Sequence, residues 1–164
     1  MIEPWRRQPV HVVYGGAHLF KANTCTKLGE LARKSLAEYA PDAHVLGAAL
    51  GLSPELAAPV YARVSEKLTR EAVEDFRIDF EDGFGVRSDE EEDAAARASA
   101  VEFSRAKDLP ELSGIRVKAI TPELGDRALR TLRIFLENCG PLPQRFVVTL
   151  PKISEAAQVA SLAG

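Results

Sequence analysis

Four short runs along the chain are continuously apolar or alternate apolar with polar positions, as β-strands do: Val10 to Tyr14, Asp75 to Glu81, Gly114 to Ile120 and Arg145 to Leu150. Between them apolar residues recur at helical spacing. Two helices, near Thr24–Tyr39 and Pro54–Glu71, are predicted to fill the first gap, which is about twice as long as the later ones. Ser53-Pro54 and Thr121-Pro122 each set a capping hydroxyl before a proline suited to the first helical position. Ser88 and Glu91 have the S-x-x-E spacing of a capping box, and the acidic run Asp89 to Asp93 would face the positive end of the helix dipole. Strand and helix in alternation predict an α/β fold with a parallel sheet, because parallel neighbours cannot be joined by tight turns. No linker or internal repeat divides the chain, which reads as one domain.

The polar positions of two strands change this picture. In Arg77-Ile78-Asp79-Phe80-Glu81 the charged residues hold one parity and the apolar ones the other, and Ile115-Arg116-Val117-Lys118 repeats the alternation. Side chains point alternately to the two faces of a strand. One face is therefore expected to carry Arg77, Asp79, Glu81, Arg116 and Lys118, while Ile78, Phe80, Ile115 and Val117 pack against helices. A parallel sheet buried on both sides is normally almost continuously apolar, so the charged face suits a barrel interior whose upper layer is a site. Half-exposed strands with solvated ion pairs are the bland alternative, routine in an antiparallel sheet, but the helical alternation argues against such a sheet. The run Phe146 to Leu150 does not alternate and favours neither.

Composition narrows the function classes. With 164 residues, 46% hydrophobic and 27% charged, the chain can bury an ordinary core. A formal charge of −3 offers no basic field for nucleic acid or an anionic membrane surface. No run approaches the ~20 apolar residues that span a bilayer, and the N-terminal stretch with Trp5, Arg6 and Arg7 lacks a signal-peptide core. Cys25 and Cys139 lie far apart with no CxxC spacing, so a reducing, cytoplasmic setting is expected.

Taken together, the strand motifs resemble those of the HpcH/HpaI aldolase and citrate lyase β-subunit family. Arg77-Ile78-Asp79-Phe80-Glu81-Asp82-Gly83 is similar to its "LDLEDA" strand, Gly114-Ile115-Arg116-Val117-Lys118 to its "VRVN" strand, and Val148-Thr149-Leu150-Pro151-Lys152-Ile153-Ser154 to its "VLPKVES" strand. The opening Val13-Tyr14-Gly15-Gly16-Ala17-His18-Leu19-Phe20 looks like a branch that begins "VYGGAHLF". The resemblance implies a (β/α)8 barrel in which a divalent ion, usually magnesium, chelates a 2-oxo acid or its enolate and a carbon–carbon bond is made or broken. It also implies that Arg116 holds the substrate carboxylate or keto oxygen, a task suited to a planar guanidinium. Asp79, Glu81 and Asp82 match the acidic strand end. Their implied roles are bonding metal-bound water, with Glu81 and Asp82 as the second-sphere candidates, or orienting Arg116, with direct metal ligation a lesser alternative; a plain ion pair with Arg116 or Lys118 is the competing role of equal weight. Lys152 matches the "LPK" lysine, but parity groups it with Phe146, Val148 and Leu150 unless the strand has already ended, so packing or helix capping is its competing role. His18 falls in the loop after the first strand, where it could contact substrate or act as a base, or simply be solvated. Gly15 and Gly16 could let backbone approach a ligand, with a simple turn as the alternative; Lys118, a further substrate-binding candidate, stands where relatives carry asparagine.

A complete barrel has eight strands in about 250 residues, whereas about four are visible here. The glutamate and aspartate that ligate the family's metal, in "VET"-like and "GTxD"-like motifs, have no counterpart, so no first-sphere metal ligand is assigned. The chain is accordingly expected to form the N-terminal half of a lyase-like barrel, inactive alone. Two alternatives are a non-catalytic module that binds a small anion, carboxylate or oxo acid, and a half-barrel that covers its open edges as a homo-oligomer or with a partner chain.

Overall fold

The computed structural model describes residues 8–163, so the segment with Trp5, Arg6 and Arg7, together with Gly164, lies outside the described residues. The chain forms two compact units, one from residues 1–23 and 74–164 and the other from residues 24–73. Nothing in the composition marks the two crossings between them, which is why the sequence reads as undivided.

The first unit holds a four-stranded parallel sheet in the order β1 (Val13–Gly16), β2 (Asp75–Asp79), β3 (Leu112–Arg116), β4 (Phe146–Thr149). Helices α4 (Asp89–Arg105) and α5 (Gly125–Asn138) form the crossovers from β2 to β3 and from β3 to β4, and α6 (Ala156–Ala163) follows β4. This is a partial (β/α) barrel arrangement, as the alternation of elements predicts.

Register explains how the faces divide. Asp79 lies beside Gly16 and Arg116, and Arg116 beside Thr149, while Arg77 lies beside Tyr14 and Gly114. The opposite parity carries Phe76, Ile78 and Ile115, all buried. On that helix-facing side Phe135 lies 5.6 Å from Phe103, 6.1 Å from Phe146 and 6.5 Å from Phe80, ring centre to ring centre, so aromatic contacts run continuously from sheet to helices. At Gly114 the backbone of β4 leaves no room for a side chain. A Cβ there would lie 1.8 Å from the Val147 carbonyl oxygen, so no other residue fits without moving a strand.

Three of the four strands end earlier than the alternation suggests, and β1 starts later. The Val10 N–H donates to the Glu74 carboxylate at 2.5 Å, a side-chain partner that leaves β1 to begin at Val13. β2 stops at Asp79 because that carboxylate captures the N–H groups of Glu81 and Gly83, an alternative to the sheet ladder. β3 stops at Arg116, although the Val117 N–H still reaches the Thr149 carbonyl at 3.3 Å. At Ser88 the capping box forms in full, opening α4. The other caps differ from expectation. Ser53 precedes α3 (Pro54–Arg70) without a side-chain cap bond, and α5 starts at Gly125 because Thr121 caps the preceding turn through the Leu124 N–H.

The second unit is helical: α1 (Thr24–Tyr39), α2 (Ala43–Leu50) and α3. Three helices stand where two were expected. The segment of α2, Ala43-His44-Val45-Leu46-Gly47-Ala48-Ala49-Leu50, is too uniformly apolar to show a helical period, yet it is bounded by Asp42, which caps the Val45 N–H, and by left-handed Gly51. A Cβ on Gly47 would lie 2.7 Å from that of Ala57, so small residues set the closeness of α2 and α3.

Candidate functional site

At the carboxyl end of β2 and β3, Asp79 and Arg116 sit side by side in register and form a two-point ion pair. Arg116 Nε donates to Asp79 Oδ1 at 2.8 Å and Nη2 to Oδ2 at 2.5 Å. The same two oxygens accept the backbone N–H of Glu81 at 2.9 Å and of Gly83 at 2.7 Å. Asp79 is 1% exposed, and burial alone would push its carboxyl up; the Arg116 guanidinium and the two N–H groups outweigh this and hold it below the usual aspartate range. In return the hydrogen bonds to Asp79 raise Arg116 above its ordinary value.

The loop closes this tightly only because glycine leaves room. A Cβ on Gly83 would lie 2.6 Å from Asp79 Oδ2, and one on Gly16 would lie 2.3 Å from the Gly83 carbonyl oxygen. Gly16 thus serves backbone packing against the β2 loop, and Gly15 packs on Phe76, where a Cβ would come within 2.8 Å of the ring.

Around this pair lies a second set of charges. Arg116 Nη1 is 3.4 Å from Glu81 Oε2, and Nη2 is 3.7 Å from Asp82 Oδ2. Lys152 Nζ ion-pairs with Glu81 Oε1 and approaches Asp82 Oδ1 at 3.3 Å; these carboxylates raise the ammonium above its usual value. Glu81 therefore bridges the two cations. Its Oε2 is buried without a hydrogen-bond partner, having only the longer ion pair to Arg116. Three carboxylates against two cations leave one net negative charge.

Two members of the cluster were not assigned to it from sequence. Tyr14 lies under Arg116, whose guanidinium carbon is 4.5 Å from the ring centre. Nothing in Val13-Tyr14-Gly15-Gly16 announces this, since the contact depends on how β1 stands beside β2. Lys152 did carry a signal, the "LPK" motif, but strand parity pointed it elsewhere. β4 ends at Thr149, and Lys152 takes a left-handed backbone, φ 55°, so parity no longer governs its direction.

Other sequence candidates lie apart from the cluster. Arg77 forms the layer beneath, paired with the buried Asp75 through both terminal nitrogens, Nη1 and Nη2, and donating from Nε to Thr149 Oγ1 at 3.2 Å. Lys118 turns away from the Arg116 face. Its amine donates to the Phe80 carbonyl at 2.9 Å and ion-pairs with Glu92 of α4 at 3.4 Å, because the chain has left β3 two residues earlier. His18 is exposed, in a short 3-10 turn after β1, its ring edge-on to Phe84 at 5.6 Å.

Chemically, the cluster presents an arginine fixed in plane by Asp79 and on one face by Tyr14. Two of its five N–H donors are taken by Asp79, and the remainder are shared with longer, weaker partners. It is 18% exposed, so a ligand can reach it. A magnesium ion fits less well. Both Asp79 oxygens are saturated, Glu81 and Asp82 are engaged by cations, and among the described residues no group of three His, Cys, Asp or Glu side chains is placed to hold a metal. Magnesium is commonly held by one or two carboxylates with several waters completing its shell, and of the three carboxylates only Asp82, 65% exposed against 1% for Asp79 and 9% for Glu81, lies open to such an ion.

Residues 3–164 match the model of DUF6986, a domain of unknown function, and the chain belongs to that family. No curated protein and no solved structure matches the chain.

Proposed function

We propose that this member of the DUF6986 family recognises a small carboxylate, a 2-oxo acid or a close relative, through Arg116 at the carboxyl rim of the sheet. The reading places the chain with the carbon–carbon lyases of the HpcH/HpaI aldolase and citrate lyase type that its strand motifs resemble. One observation carries it: a guanidinium locked by a two-point bond to a nearly inaccessible aspartate, yet itself accessible and with donors to spare. An arginine held this way has already lost its conformational freedom, so binding an anion costs little further ordering.

In such a reaction an enolate develops next to the bound carboxylate, and magnesium, when bound, supplies the Lewis acid that stabilises it. In this reading the part of the described residues is recognition. Arg116 binds the carboxylate, Asp79 and Tyr14 orient Arg116, and Glu81 and Asp82 offer acceptors for water around an ion. The cluster's net negative charge opposes an anion unless a cation enters with it, which makes magnesium dependence the natural comparison.

Calorimetric titration with pyruvate and with oxaloacetate, each with and without magnesium, tests the reading. Replacing Arg116 by Gln removes a charged hydrogen-bond donor and is expected to weaken binding roughly 10- to 100-fold. Equal affinity in the native chain and R116Q would sink the proposal. Binding that ignores magnesium would favour a non-catalytic anion-binding module over the lyase class.

A further inference from the structure

We propose that Lys152 is a second ligand-contacting cation, which makes this a site for dicarboxylates in preference to monocarboxylates; the inference rests on Arg116 being the first contact.

Lys152 belongs to the loop after β4, yet its amine reaches Glu81 and Asp82, seventy residues away, at the end of β2. It is the only non-glycine residue with positive φ among those described. That conformation is unfavourable for a lysine and persists where the surroundings impose it. Buried Pro151 immediately before it and the two carboxylates ahead of it are the visible constraints.

The two cations of the cluster differ in how tightly they are held. Arg116 is committed to Asp79 by short bonds inside the fold. Lys152 is 64% exposed, and one of its carboxylates, Asp82, is 65% exposed. Ion pairs in such positions exchange with water and solute at little net cost, so an incoming carboxylate can take the place of Asp82 at the amine. Glu81 shows the spacing at which both cations can be satisfied together, with one oxygen toward Arg116 Nη1 and the other toward Lys152. A ligand with two carboxylates spans the same pair of cations, one group at Arg116 and the other at Lys152. A ligand with one carboxylate uses Arg116 alone and leaves Lys152 on Asp82.

The test is a selectivity ratio measured on the full chain. Lys152→Gly removes the amine while suiting the positive φ, so loss of charge is separated from loss of loop shape. Lys152→Arg keeps the charge. In calorimetry, K152G is expected to bind oxaloacetate at least tenfold more weakly than the native chain and pyruvate within twofold of it, with K152R recovering most of the oxaloacetate affinity. Equal losses for both ligands, no loss for either, or a native chain that binds the two equally well would each overturn the role of Lys152 while leaving Arg116 intact. A native chain that binds neither removes the Arg116 reading, and this one with it.

Discussion

The first unit contains two ion clusters made from nearly the same parts, one on each side of the sheet. On the rim, buried Asp79 holds Arg116, with Lys152 joined through Glu81. Between α4 and α5, Glu92 accepts from Arg127 Nε at 2.7 Å and Thr131 Oγ1 at 2.6 Å, with Lys118 at 3.4 Å. The difference lies in what remains open. Glu92 is 0% exposed, and Arg127 spends further donors on the carbonyls of Arg87 and Ser88, at 2.8 and 3.0 Å, and on Asp89. That cluster is closed upon itself and ties the start of α4 to α5. The rim cluster instead runs outward from an inaccessible carboxylate to exposed Asp82 and Lys152, and leaves one buried Glu81 oxygen without a hydrogen bond. Similar charges thus form a brace where the central carboxylate is fully buried and both its oxygens accept hydrogen bonds, and a more open cluster where the outermost members are exposed.

This contrast can be broken most sharply at Glu92. Replacing it with Ala removes the fully buried carboxylate shared by Lys118, Arg127 and Thr131, and removing one partner of a buried ion pair costs about 3–5 kcal/mol. Urea unfolding of E92A should show a loss of that size; a loss within error of zero would mean that the cluster is no brace.

A smaller effect is expected at Asp79. D79N keeps the shape, but its amide offers Arg116 one uncharged acceptor oxygen in place of two charged ones and sets an NH2 against a donor, a cost of about 1–3 kcal/mol. The pH dependence sharpens the assignment. Because the native Asp79 carboxyl is held below the ordinary aspartate value of about 3.9, the unfolded chain takes up that proton first as the pH falls. Its stabilisation is therefore complete above about pH 4 and is lost as the pH drops through the lower native value. Asp75, which burial raises despite Arg77, acts in the opposite sense, losing stability as the pH rises through its window, and is unchanged in the variant. Unfolding free energies of native and D79N chains should therefore diverge above about pH 4 and converge in stronger acid. Parallel curves would contradict the pair.

The smallest effect belongs to Lys152. Its side chain is 64% exposed and that of its partner Asp82 65%, with only Glu81 buried at 9%, so Lys152→Ala should shift the urea midpoint less than D79N does in 0.5 M salt, where screening is strong. A large shift would make Lys152 part of the brace rather than the exchangeable edge of the site.

Much of the rim was legible before any coordinates. The alternation in Arg77 to Glu81 and in Ile115 to Lys118 puts Asp79 and Arg116 on one face of neighbouring strands, and the register then sets them directly side by side. Lys118 shows where such reasoning stops. Parity assigns it to the Arg116 face, but parity holds only inside a strand, and β3 ends at Arg116. The same limit hid Lys152, which lies beyond β4, and α2 escaped because a uniformly apolar segment has no period to read.

By itself the sequence determined the α/β class, the parallel sheet, the capping box of α4 and the charged face of β2 and β3. Each depends on residues within a few positions of one another, where backbone geometry fixes direction. The tertiary structure alone decided that Tyr14 and Lys152 join Arg116 and that Lys118 leaves it for Glu92. Those outcomes turn on contacts between residues 26 to 102 positions apart, and no local period encodes which distant carboxylate will capture an amine or an N–H.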